Sequence, residues 1–135
     1  MKKRYLLDTC AAIDLILWPQ GPVSQRIAEV GVSACAITDI TLYELYCGAY
    51  ASRDRAQNVA LVGRLEEWLP ILPSRDAYQE AARQRSELKR RGEMIEDFDL
   101  LIGSTAICNG RILITGNGSH MGRLSGLVLE DWMKE

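Results

Sequence analysis

The sequence lacks what would tie it to a membrane, a disulfide framework or a nucleic acid by bulk charge. Its apolar runs fall well short of the ~20 residues that span a bilayer. The opening, MKKRYLLDTC, is basic but has too few apolar residues before Asp8 for a signal-peptide core, so a cytoplasmic chain is expected. The cysteines, Cys10, Cys35, Cys47 and Cys108, include no C-x-x-C pair and lie within apolar segments. They read as reduced core residues, not as a zinc site or disulfide framework. Sixteen basic residues face 18 acidic ones, a net charge of −2, and there is no basic excess to argue for nucleic acid. Without a repeat, low-complexity tract or linker, the 135 residues read as one domain, 1–135, with one core.

What is present is an alternation of short apolar runs and helical patterns. Strands are expected at 4–7, 32–37, 111–115 and 126–130, with a short one in LPILP. Helices are expected at 11–17, 23–31, 39–51, 55–69, 76–92 and 98–110, with Asp39 as a cap for the third. Strands separated by helices make an α/β fold with a parallel sheet covered on both faces. Ligands of such sheets bind outside the carboxyl ends of the strands.

Those positions are unusually acidic. Asp8 directly follows the first strand, and Asp99 stands in the first turn of an otherwise apolar helix, with Asp97 just before it. Glu44 shares a stripe with Ile40, Tyr43 and Cys47, so a carboxylate is expected on the inward face of its helix. Singly, Asp8, Asp97 and Asp99 are explained as helix caps, a role of about 0.5–1 kcal/mol. An inward Glu44 is costlier to explain that way. Acids converging at one sheet end repel one another unless cations neutralise them. Oxygen-rich clusters suit Mg²⁺ or Mn²⁺, which can activate water toward a phosphodiester.

The segment ILITGNGSHMG (112–122) adds a glycine-rich turn with the single histidine. Gly116, Gly118 and Gly122 suggest a dinucleotide loop, but RLSGLVLEDWMKE is too short for the helix, strand and ribose-binding acid that must follow. No Lys-Ser or Lys-Thr follows for a P-loop, there is no G-x-S-x-G, and Cys10 breaks any D-x-D at Asp8.

In YLLDTCAAI, ITDITLYELYCGA, LKRRGEMIEDFDLLIGSTA and GRILITGNGSHMGRLSGLVLEDW, taken in order and spacing, the chain resembles the PIN-domain ribonucleases, specifically VapC-type toxins of toxin–antitoxin pairs. The resemblance implies a PIN-like three-layer fold with a central, mostly parallel sheet flanked by helices. It implies that Asp8, Glu44 and Asp99 are the metal-binding, catalytic acids of a Mg²⁺- or Mn²⁺-dependent endoribonuclease acting on structured RNA, tRNA or rRNA. Thr9 would hold a carboxylate, Thr41 would assist, and Asp97 falls beside the expected acid as a cap. Thr115 and Asn117 match the family's T-x-N turn at the rim of the site. His120 and Met121 stand where such toxins commonly carry an acid and Phe. His120 then touches substrate phosphate, ligates metal, or is simply an exposed loop residue. A VapB-type antitoxin and a homodimer are implied partners. The alternative is a catalytically weak PIN-fold protein that binds RNA or a partner. With three acids neutralised, the remaining acids no longer outnumber the bases, and runs such as Lys2–Arg4, Arg53/Arg55 and Arg83–Arg91 are either solvated faces or phosphate contacts.

Overall fold

The computed structural model describes residues 2–134 and contains five strands and seven helices. In chain order they are β1 (Tyr5–Leu7), α1 (Thr9–Leu17), α2 (Pro22–Val30), β2 (Cys35–Thr38), α3 (Asp39–Ala51), α4 (Arg55–Trp68) and β3 (Ile71–Leu72). α5 (Tyr78–Arg91), α6 (Asp97–Cys108), β4 (Ile112–Ile114), α7 (Gly118–Met121) and β5 (Leu129–Glu130) complete the chain. Among the described residues no helix is long and apolar enough to cross a membrane.

The strands lie in the order β3-β2-β1-β4-β5, and every pairing is parallel. β1 is central, with Tyr5 opposite both Cys35 and Ile112. Its three residues are buried on both faces, which is why YLL reads as a continuous apolar run without alternation. Tyr5 and Leu7 join one core with Leu15, Ile27, Leu45 and Leu65. Leu6 points the other way, into a second core with Leu88, Leu100, Ile102, Leu113 and Met121. Helices α1 to α4 cover the first face and α5 to α7 the second, which makes three layers. The chain builds β2 and β3 to one side of β1, then returns to place β4 on the other. The switch point therefore lies between β1 and β4, where the Asp8 amide donates to the Ile114 carbonyl (3.0 Å). An open α/β sheet splays its connections there and leaves a crevice.

Several local expectations are corrected. Val32–Ala34 forms a single turn of 3-10 helix, and the second strand begins only at Cys35. The cap of α3 is Thr38, whose hydroxyl accepts from the Thr41 amide, because Asp39 is already helical. The Asp39 carboxylate instead accepts from the amides of Ile40 and Ser74. The inward face of α3 is Thr41, Leu45 and Ala49; Tyr43 and Cys47 are exposed, and Glu44 lies half-buried at the boundary. Only Cys35 of the four free cysteines is buried. The glycine-rich turn closes into α7, and none of Gly116, Gly118 and Gly122 adopts a positive φ. Gly122 is needed for close approach: a Cβ there would stand 2.7 Å from the Gly118 carbonyl oxygen.

Candidate active site

Asp8 is placed by the end of β1 and the start of α1. Its backbone is extended, and its Oδ1 accepts from the Ala11 amide (2.9 Å), so it caps α1. The capping reading is therefore correct for Asp8, and it leaves Oδ2 free of that role. The Cys10 thiol also donates to Oδ1 (3.1 Å), while its sulfur accepts from the Gly116 amide (3.4 Å). Loss of water around the sulfur and then the charge of Asp8 push this thiol up to about 11, so it stays a protonated donor. Cys10 thus ties Asp8 to the β4 loop, a contact the sequence reading missed. Its position two residues after a strand-end aspartate was the available signal.

Across the cleft, Thr9 Oγ1 donates to Glu44 Oε1 at 2.6 Å and lies 3.0 Å from Thr41 Oγ1. Thr41 is fully buried one helical turn before Glu44, so the two hydroxyls fix the side of α3 on which that carboxylate stands. Glu44 also borders an apolar groove of about 240 Å³ with Ile13, Ile16 and Leu17.

Asp99 is half-buried in the first turn of α6, at a hollow of about 390 Å³ shared with Met94, Ile95, Glu96, Asn117 and His120. Asn117 Nδ2 stands 3.1 Å from His120 Nδ1, and the Asn117 amide donates to Thr115 Oγ1 (2.9 Å). An amide donor facing Nδ1 favours the tautomer that carries its proton on Nε2. Asp97 is not a cap: the cap position of α6 is Glu96, and Asp97 is exposed and paired with Arg85 at 3.2 Å. Other arginines of α5 are likewise held in exposed pairs, Arg83 with Glu80 and Arg90 with Glu87. Two larger clefts lie away from these acids, around Asp14 and Trp18 and around Arg26 and Trp132.

The electrostatics link the acids. Burial first, then the charges of Asp8, Glu44 and Glu96, hold the Asp99 carboxyl above the usual carboxylate range, with His120 acting weakly the other way. The three acids therefore feel one another. Even so, among the described residues no three His, Cys, Asp or Glu side chains already stand at ligating separation. The Ala11 amide and the Thr9 hydroxyl hold Asp8 and Glu44 in place.

This has a consequence for stability. A carboxyl with a raised folded-state pKa stabilises the fold below pH ~4, and that contribution is lost as pH rises through the raised value. As the wild-type carboxyl ionises it loses that contribution, whereas a neutral amide keeps it. In EDTA at pH 7, Asp99→Asn is expected to melt above wild type. The difference closes toward pH 4. Circular-dichroism melts at the two pH values check it; a lower melting point for the variant at pH 7 refutes it.

Comparison with known proteins bears on this geometry. Residues 5–126 match the model of the PIN domain family. The tRNA(fMet)-specific endonuclease VapC of Salmonella typhimurium is 29% identical over 130 residues, covering 96% of this chain and 98% of that protein. Ribonuclease VapC2 of Rickettsia felis is 34% identical over 100 residues, covering 73% and 75%. The crystal structure of DNA-bound VapBC from Salmonella typhimurium superposes with a TM-score of 0.89 over 96% of this chain and 98% of that one, at 29% identity.

Proposed function

We propose, from the premise that this chain belongs to the PIN-domain family and within it to the VapC-type toxins, that it hydrolyses phosphodiester bonds of structured RNA in a Mg²⁺- or Mn²⁺-dependent reaction. The observation that carries the reading is geometric: Asp8 stands at the carboxyl end of β1 beside the switch point, the adjacent Thr9 hydroxyl binds Glu44, and the Asp99 carboxyl is raised first by burial and then by the charges of Asp8 and Glu44. The donor set is all oxygen and anionic, which fits a hard divalent cation and relieves that repulsion. Asp8, Glu44 and Asp99 would hold it. Bound there, the cation supplies Lewis acidity toward water and phosphate.

The chain's own residues do the rest. Thr9 aims Glu44, and Cys10 with the Ala11 amide fixes one oxygen of Asp8. Asn117 orients His120 so that an N–H donor stands at the mouth of the hollow, where a phosphate oxygen can accept it. Thr9→Val is expected to lower the cleavage rate ~10- to 100-fold with little change in melting temperature, as loss of an orienting hydrogen bond does. His120→Ala is expected to cost less than substitution of any acid. Single-turnover rates on one RNA rank these variants; an intact rate for Thr9→Val, or a complete loss for His120→Ala, reverses the assignment.

The relative from Salmonella typhimurium is named for tRNA(fMet), and VapBC structures pair such toxins with an antitoxin, so tRNA and a VapB-type antitoxin are the first candidates for substrate and partner, with a homodimer as the assembly. Sequencing RNA ends after brief expression of wild type and Asp8→Asn tests the reading. New ends confined to the wild type support it and name the RNA; identical end profiles overturn it. The loosely gathered acids and the histidine at the fourth position favour one second reading, a weak PIN-fold binder. Metal binding without turnover across a panel of structured RNAs would establish that reading.

A further inference from the structure

Tyr43 on α3 and Phe98 on α6 each precede a proposed site acid, Glu44 and Asp99, by one residue. Both rings are solvent-exposed, at 58% and 39%, yet they meet edge-to-face with centroids 6.0 Å apart and planes at 86°. The two helices that carry these acids therefore also share an exposed aromatic pair, each ring one residue along the chain from its acid. An edge-to-face pair leaves ring faces uncovered, and exposed aromatic faces beside a phosphodiester site are what unstacked bases bind. Resting on the ribonuclease reading above, we propose that Tyr43 and Phe98 form a nucleobase-stacking platform. The bond to be cut is then presented next to a splayed-out, single-stranded nucleotide.

The surroundings favour a base over a protein partner. Interface cores are depleted of charge, whereas Tyr43 directly precedes Glu44 and Phe98 stands between Asp97 and Asp99 in the chain, so a protein partner would have to cover charge beside the rings. Arg85 reaches the same end of α6 in an exposed pair with Asp97, which a neighbouring phosphate can exchange at small cost. Stacking on an aromatic is tolerant of base identity, so the platform selects exposed single strands and does not read sequence.

The test uses a single-stranded RNA oligonucleotide carrying 2-aminopurine, bound to the full chain with Asp8→Asn to prevent cutting. Binding is expected to quench the fluorophore. Adding Phe98→Ala removes the quench and weakens binding about 5- to 100-fold, Tyr43→Ala does the same, and Phe98→Trp restores both. Both side chains are exposed, so melting temperatures should stay within about 2 °C. Unchanged affinity and quench in Phe98→Ala overturn the platform while leaving the nuclease intact. A Phe98→Ala protein that changes sedimentation with RNA affinity unaltered shows a contact between protein chains and overturns it equally. Failure of wild type to cut and of Asp8→Asn to bind any RNA overturns the ribonuclease reading, and the platform with it.

Discussion

Asp8→Asn is expected to abolish cleavage and to leave the fold standing. The residue has two separable duties: its Oδ1 caps α1 through the Ala11 amide, and its charge belongs to the acidic cluster. Asparagine caps a helix about as well as aspartate, so the substitution removes only the charge. Rate loss is expected to exceed ~100-fold, the cost of deleting one preorganised electrostatic partner at a reacting phosphate. The melting temperature should move by no more than ~2 °C. Asp8→Ala is the control, losing the rate and also about 1 kcal/mol of cap. Glu44→Gln and Asp99→Asn should match the rate loss of Asp8→Asn. Gel assays of RNA cleavage in Mg²⁺, beside thermal melts, check all four proteins. Undiminished cleavage by Asp8→Asn, Glu44→Gln and Asp99→Asn together removes the acids from the mechanism.

Much of this was legible because a parallel sheet writes itself plainly. Strands buried on both faces are unbroken apolar runs, and the residues that follow them fall at one edge, which put Asp8 at the carboxyl end of the sheet before any coordinates. The rim was harder. On α3 the apolar composition extends around the helix, so the sequence could not say that Tyr43 faces out while Thr41 and Leu45 face in. The strand-to-helix boundary at Thr38 and Asp39 offers two competent caps, and only the tertiary bond from the Ser74 amide to Asp39 decides between them. Gln84 sits in a helix that reads as a solvated charged face, yet it is buried. Its amide exchanges hydrogen bonds with both backbone groups of Ser125, pinning the loop after α7 to α5. Long-range satisfaction of that kind leaves no local signature. The repulsion of Asp99 by Asp8 and Glu44 is likewise a fact of folding: the three are far apart in sequence, and only the packing of β1, α3 and α6 at one end of the sheet makes them neighbours.

Ile102→Ala carries the largest expected loss of stability. α6 is enclosed along Leu100 and Ile102–Ala106, and Gly103 packs directly against the Leu124 and Met121 side chains. Ile102 is fully buried among Leu6, Leu88, Leu113 and Met121. Removing its side chain forfeits transfer energy and leaves a cavity, about 2–5 kcal/mol together. For a domain this size that lowers the melting temperature by roughly 10 °C. Ile102→Val should cost about 1 kcal/mol, and Leu17→Ala, on an exposed position, less than about 0.5 kcal/mol. The activity of Ile102→Ala then separates scaffold from site. Asp99 lies one helical turn before Ile102 on the same rigid element, so a relaxed α6 misplaces the carboxylate even while the chain stays folded. At 20 °C, well below its melting point, Ile102→Ala should cut RNA about tenfold more slowly than wild type, whereas Ile102→Val should keep the wild-type rate. A wild-type rate in Ile102→Ala would mean that Asp99 is positioned by its cleft neighbours and not by the packing of the helix that carries it.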